Sequence, residues 1–240
     1  MKHIKLFENF DTNSIDEICK KYKIRNYTIN DDGSIDVDGD VHLSNRQISK
    51  LPLKFGRVSG NFVCNYNIMK SLEGCPSYVG GEFACSNNNL NDLKYSPGYV
   101  GGKFDCSSNT LTTLDGSPKY VGKYFNCSYN NELTSLEHSP EYIEGGFNCG
   151  NCKNLKTLIG FKTQHFKFFL SDYFLYLIYD IFKDNMEYIN NFYDYHIITN
   201  LDNKNPSLNL KRFNKFLDLY DMNELTEEYL RELKKFYKFI

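Results

Sequence analysis

Cys149-Gly150-Asn151-Cys152 is the segment of this chain with the most explicit spacing for metal or redox chemistry, because two nearby thiols can share one ion or one disulfide. One pair falls short of the four ligands a structural zinc site takes, and no metal is assigned to it. The acidic run Asp36-Val37-Asp38-Gly39-Asp40 has the look of a calcium loop, but such a loop begun at Asp36 needs Gly at its sixth place and Glu at its twelfth. Those places hold Val41 and Gln47, so the run is read as a turn and a solvated strand face. His3, His42, His138, His165 and His196 show neither ligand spacing nor a nucleophile partner. No catalytic residue, metal ligand or cofactor is therefore assigned, and the chain is expected not to be an enzyme.

Cys64, Cys85, Cys106 and Cys127 belong to a longer pattern. Val58, Val79, Val100 and Val121 recur every 21 residues, and Ile143 follows after 22. Each opens a phrase such as Val79-Gly80-Gly81-Glu82-Phe83-Ala84-Cys85-Ser86-Asn87-Asn88-Asn89-Leu90, then a second leucine, a proline and a tyrosine (Tyr78, Tyr99, Tyr120, Tyr142). In Phe-x-Cys the period of two puts both side chains on one face of a short strand. Stacked copies would set Phe on Phe and Cys on Cys in a parallel sheet, with each copy covered only by its neighbours. The thiols are then small buried hydrophobes, expected to be reduced. Cys149 falls in the strand column, and Cys152 in the polar column of Asn67, Asn88, Asn109 and Asn130. An amide in that column can bond the backbone of its own turn and of an adjacent one. The glycine pairs allow positive φ or close approach between coils, and the prolines favour an extended return.

This pattern resembles the leucine-rich repeat, L-x-x-L-x-L-x-x-N-x-L, with Phe and Cys in place of two leucines. The 21-residue coil is most similar to the short bacterial and viral subclass. The resemblance implies an α/β solenoid: a parallel β-sheet with an extended convex side, an N-terminal helix-hairpin cap and a C-terminal α-helical cap. It also implies a protein partner bound along the concave sheet by residues flanking the buried Phe and Cys. Of these, Tyr66, Glu82, Asn87, Lys103, Asp105, Tyr124, Asn126 and Tyr129 are the candidate binding residues, with Tyr66, Tyr124 and Tyr129 as anchors. Some bacterial effectors join similar repeats to a ubiquitin ligase whose catalytic cysteine follows the repeats. No cysteine follows Cys152 here, which argues against that reading.

The repeats need their open ends covered. Residues 1–36 are expected to form an N-terminal cap: a helix over 13–23 with Ile15, Ile18, Cys19 and Tyr22 on one face, then a hairpin around Asp31-Asp32-Gly33-Ser34. Residues 37–160 are the repeats, and 161–240 a helical cap or domain with helices near 172–183, 186–195, 209–221 and 226–238. That segment carries no polar constellation; an enzyme within it is the rival reading. A net charge of −2 speaks against general nucleic-acid binding. Phe166 to Phe182 is too short and too interrupted to span a bilayer, and the N-terminus lacks a signal peptide. A monomer is expected. The series from Tyr27 to Val41, with Leu51-Pro52-Leu53-Lys54-Phe55-Gly56, resembles repeat proteins of large tailed bacteriophages, which implies action in the host cytoplasm. Met1-Lys2 and Leu6-Phe7-Glu8 are similar to the cleaved leaders of internal head proteins in T-even-like phages, which implies a packaged virion protein instead.

Overall fold

The computed structural model describes residues 12–155, 161, 168–170, 198–199, 207–220, 222, 225–235 and 238–239. The chain opens with α1 (Thr12–Tyr22), which buries Ile15 and Cys19 and leaves Ile18 and Tyr22 half-buried. Lys23 ends it in a left-handed conformation while Ile24 N–H returns to Cys19 O at 2.8 Å. β1 (Tyr27–Ile29) and β2 (Ile35–Val37) form the antiparallel hairpin read from the sequence. Gly39, at positive φ, then turns the chain, and Val41–His42 becomes β3 in a different sheet.

From β4 (Phe55–Val58) onward each coil carries two short strands. The Phe strands are β5 (Phe62–Val63), β7 (Phe83–Ala84), β9 (Phe104–Asp105), β11 (Tyr124–Asn126) and β13 (Gly146–Asn148). The others hold the Tyr-Val pair: β6 (Tyr78–Val79), β8 (Tyr99–Val100), β10 (Tyr120–Val121) and β12 (Tyr142–Ile143). Sheet A runs β1-β2-β4-β6-β8-β10-β12; sheet B runs from β3 through the Phe strands to β14 (Phe168–Leu170). Apart from the hairpin, every pairing in the two sheets is parallel and joins equivalent residues of adjacent coils. The fold is the expected parallel solenoid, with an addition. The Tyr-Val segment makes a second ladder, so the return side of the coil is itself a sheet.

The interior is built of columns. Phe62, Phe83, Phe104, Phe125 and Phe147 stack with centroids 5.7, 5.1, 5.3 and 5.3 Å apart, all buried. Phe55 closes one end of the stack edge-on at 5.0 Å and 78°, and Phe161 the other at 5.0 Å and 75°. Edge-to-face packing is a favourable arrangement of two rings, and at the Phe161 end β14 continues the sheet with Phe169 in register with Phe147. The valine, cysteine and leucine columns and the four repeat prolines fill the rest. All eight cysteines are free thiols. Burial pushes Cys64 up to about 12 and raises Cys75, Cys85, Cys106 and Cys127 well above the ordinary thiol range.

The asparagine column works as its position suggests. Asn109 Nδ2 donates to Cys106 O and Ser107 O of its own coil and to Cys85 O of the preceding one, at 3.1–3.3 Å. Its Oδ1 accepts from Leu90 N–H of that preceding coil at 3.1 Å. Asn67, Asn88 and Asn130 repeat the set. Cys152 takes the next place in the column, its thiol donating to Cys127 O at 3.3 Å and, more weakly, to Gly150 O at 4.0 Å. The glycine pairs serve close approach rather than positive φ: a Cβ at Gly101 or Gly122 would strike the carbonyl oxygen of Gly80 or Gly101 in the coil before.

Toward the C-terminus, β15 (Ile198–Thr199), β16 (Ser207–Leu208) and β17 (Lys238–Phe239) form a small mixed sheet C beside α2 (Leu210–Leu219) and α3 (Glu227–Leu233). Asn209 caps α2 and Thr226 caps α3, each through its side-chain oxygen. The expected helix over 226–238 is shorter, because the chain beyond Lys235 returns as β17 to pair with β16. The helices expected near 172–183 and 186–195 lie outside the described residues.

Candidate binding surfaces

Sheet B carries the candidate binding residues on or beside its outer face. Lys103 Nζ meets Asp105 Oδ2 at 2.8 Å. Asp105 Oδ1 also accepts from Ser107 N–H, Ser107 Oγ and, one coil on, Asn126 Nδ2 at 3.0 Å. Asn126 Oδ1 in turn accepts from Ser128 N–H and Oγ. Partial burial opposes the charge on Lys103, but the Asp105 bond and its negative field outweigh that and raise the ammonium above its usual range. The strands bring Lys103, Asp105 and Asn126 together and spend their polar atoms on one another. Glu82 is half-buried, its N–H donating to Asn61 Oδ1 at 2.7 Å. Tyr124, in β11, is half-buried, and burial raises its phenol. The bonds among Lys103, Asp105, Asn126, Ser107 and Ser128 order the sheet and leave those groups little bonding capacity for a partner.

Tyr66, Asn87 and Tyr129 occupy a different position. They lie where the chain leaves the strand, in a row with Asn45, Ser108 and Asn151, and all six have φ between 52° and 59°. That left-handed conformation is tolerated by Asn but costs an aromatic residue. Asn87 is half-buried, whereas Tyr66 and Tyr129 are each 57% exposed, with N–H bonds to the next coil at Ser86 O and Gly150 O. A second left-handed row runs along the corner before the prolines: Gly74, Tyr95, Gly116 and His138.

Sheet A presents a surface whose role the sequence pattern did not announce. Arg57, Tyr78, Tyr99, Tyr120 and Tyr142 are register partners on successive strands. The Arg57 guanidinium lies 3.5 Å from the Tyr78 ring centroid. Tyr78, Tyr99 and Tyr120 stack face to face at 4.9 and 4.8 Å with planes within 7° of parallel. Tyr120 OH donates to Glu144 Oε1 at 2.6 Å, which holds the phenol proton and pushes its pKa up to about 12. Ser77, Gly98, Lys119 and Glu141 precede the four tyrosines in the chain, and Gly80, Gly101, Gly122 and Glu144 follow two places on. The period-21 tyrosines are visible in the sequence as a repeat marker. Only pairing of the Tyr-Val strands reveals that they are aligned and outward.

Among the described residues no group of three or more His, Cys, Asp or Glu is placed to hold a metal ion. No helix among them is long and apolar enough to cross a membrane. Comparisons with protein-family models, with curated proteins and with solved structures gave no match.

Proposed function

We propose that this chain is a non-enzymatic protein-binding module of the leucine-rich-repeat type, encoded by a tailed phage and directed at a host protein in the host cytoplasm. The observation that carries the binding role is the placement of Tyr66 and Tyr129. Two large aromatics stand exposed in a row where the backbone favours Asn or Gly, at positions whose neighbours in the row are Asn and Ser. Local strain kept at an exposed aromatic is a mark of a functional position, and tyrosine is a frequent interface anchor. The phage source rests on the sequence resemblance of the segment from Tyr27 to Gly56.

The test is substitution by the residue the row otherwise uses. With a partner captured from host lysate, Tyr66→Asn and Tyr129→Asn should each weaken binding by about 2 kcal/mol. Neither should lower folding stability, because Asn is easier to hold left-handed. Thr134→Ala, on another side of the coil, should change nothing. If binding responds only to changes beyond residue 160, the repeats are a spacer and the assignment fails. The leader-like Leu6-Phe7-Glu8 supports a second reading, packaging in the virion, which requires a mature N-terminus at Asn9 in purified particles.

A further inference from the structure

We propose that Tyr99 and Tyr120 are a site of oxidative modification, at which a high-potential one-electron oxidant such as a ferryl haem joins the two rings as dityrosine within one chain. Glu144 takes the first proton. Tyr99 and Tyr120 are register partners on adjacent strands, β8 and β10. Their ring centroids lie 4.8 Å apart with planes 7° from parallel. The ladder holds the second ring beside the first, as a free phenol in solution would not be held. Tyr120 OH donates to Glu144 Oε1 at 2.6 Å. A phenol gives up an electron more readily when its proton has an acceptor in place, and the bonded carboxylate is that acceptor. At the other end of the stack the Arg57 guanidinium sits 3.5 Å from the Tyr78 ring centroid. That positive charge opposes removal of an electron from Tyr78. The Asp36 carboxylate lies a further strand away from Tyr78, in β2. Oxidation therefore begins at Tyr120 and reaches Tyr99 before Tyr78.

One oxidant equivalent takes an electron from Tyr120 as its phenolic proton passes to Glu144, leaving a phenoxyl radical. A second equivalent takes an electron from Tyr99, whose phenolic proton goes to water. The two radicals form a carbon–carbon bond between Cε positions, the carbons ortho to each oxygen. Those carbons then lose their hydrogens to solvent, the oxygens regain protons, and both rings are phenols again. Two electrons have gone to the oxidant and two protons to solvent, Glu144 having passed on its own. A Cβ at Gly101 would stand 3.6 Å from Tyr99 Cε1, so glycine there keeps a side chain off one of the carbons at which coupling takes place. Exposure alone selects other residues. Tyr95 is 63% exposed, against 38% for Tyr99. The site is independent of the binding role proposed for sheet B.

Brief treatment of the full chain with a haem peroxidase and hydrogen peroxide, in dilute solution to suppress coupling between chains, tests the proposal. Dityrosine is read by its fluorescence and located by mass spectrometry of proteolytic fragments. The expected product migrates as a single chain on a denaturing gel and carries a cross-link from Tyr99 to Tyr120. Tyr120→Phe should lose that product, because phenylalanine keeps the stacked ring but has no phenolic proton to give. Glu144→Gln can still accept the Tyr120 hydrogen bond but is no base. It should slow formation by about tenfold, less than a positioned base contributes where water is excluded, because water can still take the proton. Tyr95→Phe, which removes the most exposed of these phenols, should leave the Tyr99–Tyr120 yield unchanged. Dityrosine that follows exposure, at Tyr95 or between chains, would overturn the proposal. So would a cross-link from Tyr120 to Tyr142 or from Tyr78 to Tyr99 in place of the expected one, the same product in Tyr120→Phe, or an unchanged rate in Glu144→Gln.

Discussion

The phenylalanine column of sheet B and the tyrosine column of sheet A repeat at nearly the same spacing, 5.1–5.7 Å against 4.8–4.9 Å between centroids. One lies wholly inside the coil and meets an edge-on ring at Phe62 and at Phe147; the other lies on the surface, with a guanidinium over Tyr78. Stacking geometry is imposed on both by the strand spacing, so it does not tell core from surface. What differs is the water removed, and with it the stability each column supplies.

Chemical denaturation of paired variants sharpens this contrast. Phe104→Ala should lose about 3–5 kcal/mol, as expected for a large buried side chain in a stack that cannot collapse around the cavity. A loss below about 1 kcal/mol would show that the column is not the core. Next comes the amide ladder beside it. Asn109→Ala leaves one buried N–H and several carbonyls short of partners, and a loss of roughly 2–3 kcal/mol is expected. Asn109→Cys, which repeats the residue the column holds at Cys152, should cost less than the alanine, because a thiol can still donate one bond.

The buried thiols give a pH signature that begins at lower pH than the one Tyr120 gives the tyrosine face, because the ordinary thiol value, 9.0, lies below the ordinary phenol value, 10.0. Their folded pKa values lie above the unfolded value near 9, so the unfolded chain releases protons first as pH rises. Stability should be insensitive to these groups below pH 9 and fall above it, by up to about 1.4 kcal/mol per pH unit for each thiol. Cys106→Val should flatten that slope by about one thiol's share; an unchanged slope would remove the cysteines from the account. The smallest effect belongs to the exposed column. Tyr99→Ala should cost no more than about 1 kcal/mol, the scale of an aromatic pair without its burial. A loss as large as that of Phe104→Ala would erase the distinction between the two columns.

Much of this was legible in one chain because the molecule is nearly one-dimensional. A 21-residue period with Phe-x-Cys, Asn and Leu columns dictates parallel stacking, since a single copy cannot bury those side chains. The same period placed Cys149 and Cys152 among columns rather than in a metal site, and both are buried in those columns. Local signals also sufficed for the helix α1 and the hairpin. They did not suffice for β17, since the choice between another helical turn and a strand at Lys238 was made by the distant edge of β16.

The binding faces show the same division. Tyr66 and Tyr129 could be named from their offset to Phe-x-Cys, but their left-handed backbone follows from the turn geometry that all coils share. Asp105 and Asn126 were named for the same reason, yet their spare bonding capacity is consumed across coils, 21 residues apart, where no local pattern reports it. The tyrosine row was present in the sequence as a repeat. Its alignment with Arg57 and the stacking of three rings exist only once the Tyr-Val segments pair. Periodicity determines which residues share a column; hydrogen bonding between coils decides which face of the column meets water.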